Sequence, residues 1–244
     1  MESLCIFSDP DTMAKEIASQ LEKNADQAEK DGRIFTLVLS GGSTCIHLYR
    51  AIAEQRFADR IPWHVMHLFW ADERCAPPEN EESNYRICRS ILLDRIVISN
   101  SNIHRIRGEE DPILESTRYA KEIQDHMMLR EGQANFFDWV FLGVGTDGHT
   151  ASLFAGDDSL NSSNLCEVAY HPQTSQKRVT LTPLAIRKSN RITYHVIGRG
   201  KSDIISKLVF KESAEKKYPA NFILGEWYLD KEAAFNLSPG INRF

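Results

Sequence analysis

The sequence predicts an α/β protein built on parallel strands. Apolar runs short enough to be buried strands alternate with helix-length segments, and the overall composition is that of an ordinary globular chain. Four runs rich in Val, Ile, Leu and Phe lie within IFTLVLSGGSTCIHLYRAIAE, HVMHLFWADER, WVFLGVGTDGHTASLF and RITYHVIGRGKSDIISKLV. Each meets a glycine or polar turn and then a helix-compatible segment. Continuous runs of this kind suit strands covered on both faces, with helices as the crossovers between them. With 244 residues, 42% hydrophobic and 26% charged, the chain is long enough for a substantial core, and one domain over residues 1–244 is expected.

Taken in order, MESLCIFSDPD has an acidic second residue and only a short apolar run, which suits neither a signal peptide nor a membrane span. The segment from Asp11 to Lys30 carries Met13, Ile17 and Leu21 at four-residue spacing and predicts a surface helix packed on the sheet. The first apolar run ends at Leu39, and a helix is expected from near Thr44. In the second run His64 and His67 are three apart in an expected strand, so they point to opposite faces and make a poor metal pair. Asn80 to Asn84 reads as an exposed polar loop. Asp111 is expected to cap a helix from Pro112 to Arg130, with Ile113, Leu114, Tyr119, Ile123 and Met127 on one side. Asp157 to Asn164 reads as a second exposed loop, and Lys201 falls at the start of the helix after the fourth run. There is no repeat and no low-complexity tract.

The charge balance narrows the function. Against 29 basic residues stand 34 acidic ones, a net charge of -5, so no broad positive field is available for a nucleic-acid backbone. An anionic ligand would need a local basic pocket. The five cysteines are scattered and form no C-x-x-C pair, which predicts reduced thiols in a cytoplasmic protein. No ligand spacing among the histidines predicts a metal, and His47, His104, His126, His171 and His195 read as surface or core residues. No metal, no cofactor, no nucleic acid and no membrane contact are expected. The oligomeric state is left open, and a monomer is compatible with the chain.

In an open α/β sheet, ligands sit beyond the carboxyl ends of the strands, where turns gather backbone N–H groups and helix N-termini. The first such turn, LVLSGGSTC, offers Gly41 and Gly42 for close backbone approach and Ser43 and Thr44 as hydroxyl donors to a phosphate. It fits an ordinary glycine turn with a Ser/Thr helix cap equally well, and it is not a Walker loop. In WADER, Asp72 and Arg74 point the same way if extended, with Glu73 opposite. Arg74 would offer a planar fork to a phosphate, and Asp72 would accept from sugar hydroxyls or fix Arg74; a surface ion pair also fits. GVGTDGHTASLF holds His149, the only histidine in a glycine-rich loop after a strand. An imidazole near its ordinary pKa of about 6.5 exchanges protons at neutrality, though a turn histidine bonded to carbonyls also fits. In VIGRGKSD, Lys201 at a helix start is explained by an anion held between it and the helix, or by simple solvent exposure.

Together, LSGGST, WADER, the later SNY, LGVGTDGHTASLF, RVTLT and VIGRGK stand in the order found in the 6-phosphogluconolactonase family, which the sequence resembles from about Ser3 to Ala234. The closing YPANFI and GEWYLDKEAA resemble that family's tail. The resemblance implies a three-layer, Rossmann-like, mostly parallel sheet flanked by helices, and hydrolysis of 6-phosphoglucono-1,5-lactone in the oxidative pentose phosphate pathway. It implies His149 as the catalytic acid/base, and Arg74 and Lys201 as phosphate ligands beside Gly41, Gly42, Ser43 and Thr44. Asp72, Asp147 and Arg178 fall on further motif positions. Cys45 and Ala155 stand where the family usually has proline. The related glucosamine-6-phosphate deaminases share the DGH loop but place a glutamate five residues after the histidine, where this chain has Phe154, so hydrolysis is the expected reaction and deamination the alternative. A sugar-phosphate sensor would keep Arg74 and Lys201 without needing His149.

Overall fold

The computed structural model describes residues 3–128, 134–210 and 218–237, with Ser43 and Phe210 as backbone only. From the N-terminus, β1 (Ser3–Phe7) leads into α1 (Pro10–Lys30), β2 (Phe35–Leu39), α2 (Ser43–Ile52), the short α3 (Gln55–Ala58) and β3 (Met66–Trp70). The chain then forms β4 (Asp72–Arg74), α4 (Asn84–Ile91), β5 (Ile103–His104), α5 (Pro112–Met128) and β6 (Phe137–Leu142). The remainder is β7 (Cys166–Tyr170), β8 (Lys177–Leu181), α6 (Pro183–Arg187), β9 (Ser189–Val196), α7 (Ser202–Phe210) and β10 (Glu226–Asp230).

Seven strands form one sheet in the order β1-β10-β9-β6-β2-β3-β5, and all of its pairs are parallel. Every residue of β2 and β6 is buried, as expected of strands covered on both faces, and the two polar ones, Thr36 and Asp138, pair with each other, the Thr36 N–H donating to the Asp138 carboxylate at 2.8 Å. Helices α1, α2 and α4 pack on one another, whereas α5 and α6 pack with a separate three-stranded antiparallel sheet, β4-β8-β7. The resulting architecture is the expected three-layer one. From β2 the chain progresses to β3 in one direction across the sheet, and from β6 to β9 in the other. Neighbouring β2 and β6 therefore flank the topological switch point, where α/β sheets open a crevice at their carboxyl ends.

Local chemistry accounts for the elements. Asp9 accepts from the Thr12 N–H at 2.8 Å and Pro10 opens α1, whose Met13, Ile17 and Leu21 are fully buried. Asp111 caps α5 as expected, accepting from the N–H groups of Ile113 and Leu114. The predicted extension of this helix to Arg130 lies outside the described residues.

Four expectations are corrected. Ile113 and Leu114 are 69% and 71% exposed, because at the start of α5 the buried positions go to Glu115 and Ser116. Glu115 is held there by Arg118 and by the Arg107 N–H at 2.8 Å. Asn84 is not in an exposed loop: it begins α4 and is buried. The stretch from Asp157 to Asn164 contains a 3-10 turn, Asp158–Asn161, that buries Ser159 and Leu160. His64 precedes β3 instead of lying within it, and its imidazole stands 3.0 Å from Glu29.

Candidate active site

The four predicted turns converge. Beyond β2 the chain passes through Ser40 and Gly41 to Gly42, whose φ of +91° favours glycine and which precedes α2 without a side-chain cap. The first amides of α2 are thus available to an anion. Gly41 is required for a second reason: a Cβ there would fall 2.0 Å from Asn84 Oδ1. Cys45, where a proline was expected from the family pattern, places its thiol 3.1 Å from the Gly41 carbonyl.

Opposite this turn lies β4. Glu73 points away from Asp72 and Arg74, as alternation demands, and is buried. Its carboxylate accepts from the N–H groups of Arg74, Asn84 and Tyr85 at 2.7–2.8 Å and from Ser83 Oγ at 3.0 Å, so it clamps the start of α4 onto β4. Burial pushes the Glu73 carboxyl up, against the pull of these donors. Asp72, also buried, accepts from Ser152 Oγ at 2.7 Å, while Asn84 Nδ2 donates to the Asp72 carbonyl at 2.9 Å.

Arg74 and Arg178 face each other across the antiparallel β4–β8 rung. Directly opposed like charges on paired strands are unfavourable. Burial, and then the Arg74 charge, lowers the Arg178 pKa. Arg74 Nη1 donates to the Glu82 carbonyl at 2.7 Å and Arg178 Nη2 to Gln176 at 3.2 Å. Both Nε atoms, however, are buried without a hydrogen-bond partner among the described residues. Lys201 ends a 3-10 turn, Arg199–Lys201, directly before α7; burial lowers its pKa while the charge of Asp147 opposes that shift.

The turn after β6 carries the proton-transfer candidate. His149 Nδ1 lies 2.6 Å from Asp147 Oδ1, and the His149 N–H also donates to that oxygen at 3.2 Å. Burial alone would raise the Asp147 carboxyl, but the charge and hydrogen bonds of His149 outweigh it and hold it below the ordinary value. Gly145 makes the arrangement possible, since a Cβ there would stand 2.2 Å from His149 Nδ1 and 2.5 Å from Asp147 Oδ1. Phe154 packs its ring 4.9 Å from the imidazole, and the Arg178 guanidinium lies 5.8 Å from the same ring.

Gly41, Gly42, Thr44, Asp72, Arg74, His149, Arg178 and Lys201 thus line one cleft of about 180 Å³. Asp147 is not among the lining residues but contacts the lining His149, and Ser43 falls in sequence between the lining Gly42 and Thr44. Asn84, Ser152 and Gly145 were not singled out by sequence reasoning. Asn84 was visible only as part of SNY and as the end of the polar stretch from Asn80, and nothing in the spacing of Ser152 from Asp72 announces their contact.

The family model described as glucosamine-6-phosphate isomerases/6-phosphogluconolactonase matches residues 8–229. The chain belongs to this family. Among its members, the 6-phosphogluconolactonase of Aggregatibacter actinomycetemcomitans is 40% identical over 201 residues, covering 80% of this chain and 84% of that protein. The 6-phosphogluconolactonase of Haemophilus influenzae is 40% identical over 200 residues, with the same coverage of 80% and 84%. The crystal structure of devB protein superposes with a TM-score of 0.89 at 37% identity, covering 98% of this chain and 100% of that one. The family includes both isomerases and lactonases, so the cleft itself must discriminate between them.

Proposed function

We propose that this chain, working as a single domain, hydrolyses 6-phosphoglucono-1,5-lactone to 6-phosphogluconate. The observation that carries the reading is the pairing of two unlike halves in one cleft. Arg74, Arg178 and Lys201 concentrate positive charge with two buried guanidinium N–H groups lacking protein acceptors among the described residues, and a histidine–aspartate pair stands beside them. A phosphate dianion would relieve the opposed guanidiniums and accept from the amides at the start of α2. Anchored at the phosphate, the sugar would present its lactone carbonyl to the imidazole, so that binding energy remote from C1 orients the reacting group.

Because Asp147 is ionised, His149 Nδ1 carries the proton donated to it, and Nε2 holds the lone pair. Nε2 removes a proton from water as its oxygen bonds to C1, giving a tetrahedral centre with negative charge on the former carbonyl oxygen. The C1–ring oxygen bond then breaks, the carbonyl re-forms, and the imidazolium returns its proton to the departing ring oxygen. Asp147 stabilises the imidazolium between these two steps, in the manner of other histidine–carboxylate pairs. Backbone N–H groups of the glycine turns supply the oxyanion's donors, and Asp72 holds Asn84 and Ser152 in place while offering an acceptor to a sugar hydroxyl. Proton transfer and charge stabilisation suffice for an activated ester, so the route includes no metal step. Phe154, packed on the imidazole where a deaminase would carry its glutamate, favours hydrolysis over ring opening and deamination.

Side-by-side assays of 6-phosphogluconolactone disappearance and of ammonia release from glucosamine 6-phosphate test the reading. The expected outcome is turnover of the lactone alone. Ammonia release without lactone loss would assign the chain to the isomerase branch, and binding of both compounds without turnover would make it a sensor.

A further inference from the structure

Away from the cleft, three histidines from three elements meet. His67 is the second residue of β3, His104 closes β5, and His126 lies in the last turn of α5. One ring nitrogen from each falls within 4.8 Å of the others, and this is the only grouping of three potential metal ligands found among the described residues. We propose that His67, His104 and His126 bind one divalent transition-metal ion of the zinc class, at a site independent of the catalytic cleft. None of the three histidines lines the catalytic cleft.

The hydrogen bonding around His104 prepares it as a ligand. Glu122 Oε1 lies 2.7 Å from His104 Nδ1, and Arg118 pairs with the other oxygen of the same carboxylate. An ionised carboxylate only accepts, so Nδ1 carries the proton and Nε2 presents its lone pair. That lone pair faces His67 Nδ1 at 3.0 Å. A carboxylate behind a ligating imidazole fixes its tautomer and raises its basicity, which is the arrangement seen behind histidines in zinc sites. When the metal bonds to His67 Nδ1, the proton there passes through solvent to Nε2, and the ring remains neutral.

Packing alone does not call for this composition. Phe69 stacks on His104 at 4.4 Å and meets His126 edge-on at 5.4 Å, so phenylalanines would fill such space without desolvating ring nitrogens. For a tetrahedral ion with nitrogen ligands at 2.0–2.1 Å, ligand atoms stand about 3.3 Å apart. The 3.0 Å separation of His67 and His104 is near that value, and the His126 nitrogen, within 4.8 Å of the other ligand atoms, would have to move closer on metal binding. Three imidazoles leave a fourth position for water, and Phe69 walls one side of the site. The bound ion would tie β3, β5 and α5 together at the edge of the large sheet.

Chelator-treated protein carrying no affinity tag, titrated with Co²⁺ by absorbance and with Zn²⁺ by calorimetry, tests the site. One equivalent should bind, with the visible bands of Co²⁺ in a low-coordinate nitrogen environment, and Zn²⁺ should raise the melting temperature. His67→Ala and His126→Phe should each abolish stoichiometric binding, and Glu122→Gln should weaken it by about 10- to 100-fold. His149→Ala should bind as wild type does. Either single-histidine variant suffices, provided its metal-free circular dichroism matches wild type. Failure of the wild type to bind one equivalent, retention of binding in a folded His67→Ala or His126→Phe variant, or its loss in His149→Ala would overturn the proposal.

Discussion

Trp139 Nε1 donates to Thr193 Oγ1 at 2.9 Å, and that hydroxyl lies 2.9 Å from His195 Nε2. Besides accepting from the indole, the Thr193 hydroxyl has a proton to donate, which the imidazole can accept at Nε2 only when neutral. Burial, aided by the Arg191 charge, pushes His195 down to about 3. Since the unfolded histidine titrates near 6.5, the unfolded state takes up the proton first as pH falls. Stability from this residue is therefore intact above about 6.5 and is lost progressively below it, approaching about 1.4 kcal/mol per pH unit. Denaturant unfolding at about pH 7 and about pH 5 should show wild type losing more stability than His195→Gln; equal losses would mean that His195 is not held neutral. At this scale the sequence distinguished His149 from the other histidines by its glycine setting. It could not show that Gly145 is needed to admit the imidazole, since that requirement is steric and arises only once the turn closes.

Among the elements, β4 and α4 illustrate what pattern reading captures and misses. Alternation placed Asp72 and Arg74 together with Glu73 opposite, and β4 has that arrangement. The role of Glu73 was hidden, because its partners lie about ten residues away around a turn whose closure no periodicity predicts. Glu73→Ala should remove an acceptor for four donors, cost at least about 2 kcal/mol of stability and weaken substrate binding through displaced Asn84. Unchanged denaturation midpoint and KM would contradict the clamp. The four principal strands were readable as continuous apolar runs, whereas the β4-β8-β7 sheet was not. Its strands are short and partly polar, and β4 pairs with β8 across about 100 residues of sequence. The start of α5 misled for the opposite reason: Ile113 and Leu114 fit an apolar stripe, yet the buried network of Glu115 with Arg118 outweighed that pattern.

Over the whole molecule, the parallel sheet places the β2 and β6 turns at its switch point, and the small antiparallel sheet carries the Arg74–Arg178 rung to the same cleft. No helix among the described residues is long and apolar enough to cross a membrane. Sequence order alone revealed the motifs that meet here, although β1 and β10, at opposite ends of the chain, were not read as paired strands. The histidine cluster was unreadable for a similar reason: His67, His104 and His126 have no ligand spacing, and only the packing of β3, β5 and α5 brings them together. In the proposed mechanism, proton transfer through His149 opens a phosphate-anchored lactone. Steady-state kinetics of His149→Ala on 6-phosphogluconolactone test it most directly. A fall in kcat of about 100- to 10,000-fold with little change in KM is predicted, and near-wild-type kcat would contradict it.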